Sequence, residues 1–205
     1  MTTEKIVVYG DSRSGNCYKV KLLCSQLGIL YDWQEVDILA GETRTPEFLA
    51  MNTNGKIPLL ALPDGRFLAE SNAILVFLAD GSDLLGRDSF AHARVLQWIF
   101  FEQYSHEPNI ATSRFIIRYL GSPPDRQAAL EEKRVAGYKA LDVMEQQLGM
   151  RAFIAGAEYS IADIALYAYT HVADEGGFDL RDYPAVRAWL GRVAATPGHV
   201  PMVCD

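Results

Sequence analysis

A proline held between apolar residues, in Gly55-Lys56-Ile57-Pro58-Leu59-Leu60, is what most restricts how this chain can fold. The stretch from Ile57 to Leu62 reads as a strand, yet proline has no N–H to give to a ladder. Pro58 must therefore stand at a strand's edge or entrance. About a dozen residues later Glu70-Ser71-Asn72-Ala73-Ile74 opens a helix carrying Ile74, Phe77 and Leu78, with Ser71 as its cap. The free N–H groups and positive dipole end of such a helix start are suited to a carboxylate.

The elements around these two segments alternate. Lys5 to Tyr9 predicts a strand ending in the turn Gly10-Asp11-Ser12. From Asn16 to Gly28 the residues Val20, Leu23, Cys24 and Leu27 fall three or four apart, which predicts an amphipathic helix stopped by Gly28. Tyr31 to Ile38 predicts a second strand. Gly41 to Arg44 reads as a loop, and Thr45-Pro46-Glu47 as a capped helix start. Ile57–Leu62 and Arg66–Ala69 form a hairpin about Pro63-Asp64-Gly65. The order is β-α-β-α-β-β-α over residues 1–80, followed by a Gly-, Asp- and Ser-rich linker from Gly81 to Asp88. Residues 89–205 show helical periodicity only: Ser89 to Tyr119 with a kink near Pro108, Asp125 to Leu148, Ser160 to Glu175, and Tyr183 to Ala195.

Of the 205 residues, 49% are hydrophobic and 22% charged, as in ordinary globular proteins. The net charge of −7 is spread over both parts: 7 basic and 10 acidic groups in residues 1–80, 12 and 16 beyond. With no basic block, nucleic acid is not an expected partner. No apolar run approaches the roughly 20 residues that cross a bilayer, and Met1-Thr2-Thr3-Glu4-Lys5 has no signal-peptide layout, so no membrane association is expected. Three cysteines (Cys17, Cys24, Cys204) without metal spacing suit a reducing, cytoplasmic setting. His92, His171 and His199 show no ligand spacing, so no metal is expected.

Together the Ile57-Pro58 and Glu70-Ser71 segments resemble the glutathione site of the cytosolic glutathione transferases, most nearly the bacterial, theta- and nu-like forms. A second motif, Ser160-Ile161-Ala162-Asp163, is a capping box that the family carries at the start of a central helix in its second domain, where it serves folding. The resemblance extends over nearly the whole chain. It implies an α/β thioredoxin-like N-terminal domain (1–80), with a cis-proline at Pro58, and an all-α C-terminal domain (89–205) on the second-substrate side. It also implies a homodimer with the site beside the subunit cleft and Phe90, Val95 and Phe101 as candidate partner contacts.

What the family implies for single residues follows. Glu70 pairs with the amine of glutathione, and the Ser71 hydroxyl and N–H with its α-carboxylate. Ile57, before Pro58, pairs its backbone with the cysteinyl unit, while Lys56 and Arg44 meet the glycine carboxylate. A free thiol has a pKa near ~8.5, so a donor must stabilise the thiolate. Ser14 falls at the serine position of theta-like members and Asn16 at the functional asparagine of some bacterial disulfide-reducing ones; Tyr9 lies slightly early for the tyrosine of other classes. Cys17 sits where beta- and omega-like members could form a mixed disulfide, but on the helix face that turns inward, and it reads as core along with Cys24. Cys204 reads as tail. For the second substrate, Tyr104, Asn109 and Arg114 stand out as polar or aromatic residues in a bundle helix; a simply wet helix side is the bland alternative. His106 reads equally as a structural histidine or a proton carrier.

The function so implied is conjugation of the glutathione thiolate, as co-substrate, to a small electrophile, the detoxification chemistry of the family. A glutathione-dependent disulfide or peroxide reductase is the first alternative, suggested by Ser14 and Asn16 without a committed cysteine. A non-enzymatic interaction protein on the same fold is the second.

Overall fold

The computed structural model describes residues 5–202; Cys204 lies outside them. Among the described residues the chain forms two compact units, 5–80 together with 197–202, and 81–196. The segment after residue 196 thus returns to the first unit, whereas the sequence had suggested that it stays with the helices.

The first unit is a four-stranded sheet in the order β2-β1-β3-β4, with β1 (Ile6–Gly10) parallel to β2 (Tyr31–Glu35) and antiparallel to β3 (Leu59–Ala61), which pairs antiparallel with β4 (Phe67–Ala69). Helices α1 (Gly15–Leu27), α2 (Pro46–Met51) and α3 (Ser71–Leu78) complete it. Side chains alternate across a strand, and the sequence uses both faces. Val8 and Leu60 point with Val20 and Cys24 of α1 and Ile74 of α3 into one buried cluster. Their neighbours Tyr9 and Leu59 point the other way, against Val36 and Phe48. Tyr9 is therefore a packing residue of the α2 face. Gly28 closes α1 in the left-handed region, φ 66°, its N–H returning to Cys24 and Ser25 carbonyls. Thr45 caps α2 by accepting from Phe48 N at 3.2 Å.

The second unit is helical: α4 (Ser89–Phe101), α5 (Glu107–Arg114), α6 (Gln127–Leu148), α7 (Ile161–Thr170) and α8 (Pro184–Ala194). Every residue of α7 is buried, and α4, α5 and α8 pack on it. A helix apolar on all sides belongs at the centre of such a bundle. Its capping box is formed: Asp163 accepts from Ser160 N at 3.0 Å, and also from Ile154 N at 2.8 Å and Trp189 Nε1 at 2.8 Å. The kink expected at Pro108 takes the form of a widened π turn over Glu102–His106 leading into α5, with a second over Phe115–Tyr119. Among the described residues no helix is long and apolar enough to cross a membrane.

Candidate functional site

The proline problem is solved by register. Ladder pairing of β3 begins at Leu59, opposite Tyr9 and Ala69, so the missing N–H of Pro58 falls outside it. The Ile57–Pro58 peptide bond is cis. The loop that delivers Ile57 is organised by Asn52, a residue not singled out in the sequence: its side-chain amide donates to Lys56 O at 2.8 Å and its carbonyl oxygen accepts from Asn54 N at 3.1 Å. Gly55 has φ +60°, and a Cβ there would stand 2.6 Å from Arg44 Nη1 and 2.8 Å from Thr43 O, so only glycine fits. Arg44 in turn donates to Asn54 O at 3.2 Å. Lys56 and Arg44 thus lie on one exposed loop surface ahead of the half-buried Ile57.

At the start of α3 the sequence expectation needs a correction. Ser71 is the first helical residue rather than the cap. The cap position belongs to Glu70, with φ 70° and ψ 114°. A non-glycine residue held there is strained, as residues at functional sites often are. Glu70 remains exposed, while Ser71 and Asn72 are buried. No side chain caps this helix and its first turn holds no acid, so its positive end stays available to an anion.

The start of α1 has the same character: Ser14 is the N-cap, its side chain makes no capping bond, and no acid stands in the first turn. The two helix starts meet through side chains. Ser71 Oγ donates to Asn16 Oδ1 at 3.2 Å. Beneath them the fully buried Lys19 donates from Nζ to Ser71 Oγ at 3.3 Å and to Asn72 Oδ1 at 3.4 Å. Lys19 and Asn72 were missed in the sequence. The signal was there, because Asn16, Lys19 and Leu23 follow helical spacing onto one face, the face that also carries Val20.

Cys17 is fully buried, and burial pushes its thiol up to about 12, partly offset by hydrogen bonds from the Ser14 side chain and the Asp11 backbone. Such a thiol is not a nucleophile at neutral pH. Burial does the same to Cys24, also to about 12. Beside this turn Asp11, itself buried, holds Arg13 through two side-chain bonds of 3.2 and 3.0 Å, which fixes the loop ahead of Ser14.

In the second unit the three residues proposed for the electrophile part company. Tyr104 is 86% exposed. Asn109 turns back to donate to Ser105 O at 2.6 Å. Arg114 is buried and donates from Nε to Glu175 at 2.7 Å, with Arg118 on the same carboxylate at 3.4 Å. Arg114 therefore builds the interior of the bundle. His106 is buried and lies 2.9 Å from Thr170 Oγ1. Among the described residues no group of three or more His, Cys, Asp or Glu could hold a metal ion.

Comparison with known proteins decides the family. The glutathione S-transferase N-terminal domain matches residues 13–80 and the C-terminal domain residues 106–197. A crystal structure of a glutathione S-transferase from Pseudomonas fluorescens Pf-5 is similar over 98% of this chain and 100% of its own, at 59% identity and a TM-score of 0.96. The chain belongs to the glutathione S-transferase family. It is an enzyme of that family, with the family's thioredoxin-like sheet and helical part, and the non-enzymatic alternative is set aside. A glutathione transferase family member from Pseudomonas fluorescens Pf-5 with two glutathione molecules bound is 29% identical, covering 97% of this chain and 92% of its own, at a TM-score of 0.82. The disulfide-bond oxidoreductase YfcG of Escherichia coli K12 is 30% identical over 189 residues, 89% of this chain and 87% of that protein.

Proposed function

We propose that this transferase binds glutathione on its first unit and activates the thiol for attack on a small electrophile. The observation that carries the reading is the 3.2 Å bond from Ser71 to Asn16, which joins the start of α3 to the start of α1. One helix start has the groups for the γ-glutamyl end: Ser71 hydroxyl and N–H for the α-carboxylate, and exposed Glu70 for the amine. The loop before Pro58 offers the Ile57 backbone to the cysteinyl unit and Lys56 and Arg44 to the glycine carboxylate. The other helix start offers Ser14 and Asn16 as donors to the sulfur, assisted by the positive end of α1. The thiol proton leaves to solvent, the thiolate forms a C–S bond to the electrophile, and the leaving group or acceptor carbon takes the displaced electron pair. Catalysis is then orientation plus stabilisation of the thiolate by fixed donors. A glutathione-bound relative of similar structure supports the ligand.

Disulfide reduction is the second reading, favoured by the similarity to the bacterial disulfide-bond oxidoreductase. In it the glutathione thiolate attacks one sulfur of a substrate disulfide directly, because Cys17 is buried and protonated. The S–S bond breaks, the other sulfur leaves as a thiolate that takes a proton from solvent, and a second glutathione resolves the mixed disulfide to give oxidised glutathione. Parallel assays with an aryl halide and with a mixed disulfide distinguish the two. Transfer to the aryl halide with no disulfide turnover supports conjugation, and the reverse supports reduction. A cytoplasmic homodimer fits the family and the lack of spanning helices among the described residues; sedimentation returning a monomer at micromolar concentration would reject the dimer.

A further inference from the structure

Lys19 is a buried cation with no role in the reading above. It lies on the first buried turn of α1, 0% exposed, and donates to Ser71 Oγ at 3.3 Å and Asn72 Oδ1 at 3.4 Å. Lysine is rarely buried completely, because its ammonium is strongly hydrated in water. An ammonium can only donate hydrogen bonds. A lone pair of Ser71 is therefore engaged by Lys19, and the hydroxyl proton must point elsewhere. In this structure it points to Asn16 Oδ1, at 3.2 Å. A carboxylate arriving at the start of α3 can take the place of Asn16 Oδ1 as the acceptor of that proton, and the cation behind the oxygen makes the hydroxyl a stronger donor. The same carboxylate brings a full negative charge close to the ammonium in a region shielded from water, where attraction is screened least.

We infer that Lys19 is a positioning residue for substrate recognition, which orients the Ser71 hydroxyl and supplies the buried positive charge that selects ligands bearing an α-carboxylate at the γ-glutamyl end. This rests on the glutathione reading above. It adds a source of specificity that acts through Ser71 without touching the substrate. Asn72 Oδ1 also accepts from the ammonium, so two successive residues of α3 bond to the cation.

The test compares two ligands by calorimetry on the full chain: glutathione, and the tripeptide in which a 4-aminobutanoyl group replaces the γ-glutamyl unit, which keeps the amine, thiol and glycine carboxylate. Lys19→Met should weaken glutathione by about 10- to 100-fold, the range for loss of a charge-assisted contact, and change the affinity for the analogue less than about threefold. Lys19→Arg, which keeps the charge, should recover most of the loss for glutathione. Equal weakening of both ligands would reveal a merely structural lysine and overturn the inference, as would a Lys19→Met protein with wild-type affinity for glutathione. If Lys19→Met does not fold, the wild-type protein still decides. The NMR signal of the Lys19 ammonium should shift with glutathione and not with the analogue, and equal shifts would overturn the proposal. Failure of the wild type to bind glutathione at all would instead reject the underlying reading.

Discussion

The Ser71 hydroxyl donates to the Asn16 side chain at 3.2 Å across 55 positions of the sequence, so that two helix starts share one polar network. Each brings a positive helix end with no side-chain capping bond.

Replacement of Ser71 or Glu70 by alanine should therefore weaken glutathione by roughly 10- to 100-fold each, because a hydrogen bond to a charged group contributes on the order of 1.5–3 kcal/mol. Calorimetry measures it. Ser71→Ala should also loosen Asn16, whose side chain loses a donor, whereas Glu70→Ala leaves that bond in place. Wild-type affinity in both variants would remove the site assignment.

Ser14→Ala should raise the pKa of bound glutathione and lower turnover at neutral pH by roughly ten- to a thousand-fold, the range for one preorganised donor. The Ser14 side chain also bonds to the Cys17 thiol in the free protein, so Cys17→Ala frees this hydroxyl without removing a nucleophile. Ultraviolet titration of the bound thiolate follows both variants. A silent Ser14→Ala beside a dead Cys17→Ala, with a glutathione adduct on the wild type by mass spectrometry, would contradict the assignment.

Arg114 should prove a stability residue. Its guanidinium is buried against Glu175 at 2.7 Å, and its removal loses a buried charge-assisted bond while Arg118, at 3.4 Å, still partly compensates the carboxylate, a loss of about 1.5–3 kcal/mol. Arg114→Ala should lower the denaturation midpoint strongly. A variant of unchanged stability with an altered KM for the electrophile would return Arg114 to the substrate pocket.

Asp163 gives a pH signature. Complete burial pushes its carboxyl up to about 6, against opposing bonds from the Ile154 and Ser160 backbones and from the Trp189 and Ser160 side chains. The unfolded value is near ~3.9, so the folded state binds the proton more tightly. The stability from this preference is fully present below about pH 3.9 and is lost as pH rises through about 6. Relative to Asp163→Asn, the wild type should lose on the order of 3 kcal/mol between pH 4 and pH 7, measured by urea unfolding. A difference that stays flat or grows with pH would contradict it.

Much of this was readable from the residues because the local signals were strong. Gly28 as a helix stop, Thr45-Pro46 as a helix start, the Pro63-Asp64-Gly65 turn and the Ser160–Asp163 capping box each carry a local mechanism that tertiary packing did not override. The second strand was read too long. Val36 to Ile38 looks apolar enough to continue, but the Asp37 carboxylate accepts from Leu39 N at 2.9 Å and Ala40 N at 3.0 Å and turns the chain away after Glu35. At the candidate site, Ile57-Pro58 and Glu70-Ser71 stand out by their own sequence motifs, and the proposed site is built on them. Lys19 and Asn52 do not stand out in the sequence, because their contacts depend on partners brought close by the fold. The burial of Arg114 is hidden in the sequence for the same reason, since its carboxylate partner lies 61 positions away.

A crystal structure with glutathione bound decides whether the starts of α1 and α3 and the loop before Pro58 form one glutathione site. The sulfur should lie within hydrogen-bond reach of Ser14 Oγ or the Asn16 side chain, the α-carboxylate on Ser71, and the cysteinyl backbone should pair with Ile57. Glutathione bound away from Ser71 and Ile57, or with its sulfur facing neither Ser14 nor Asn16, would contradict it.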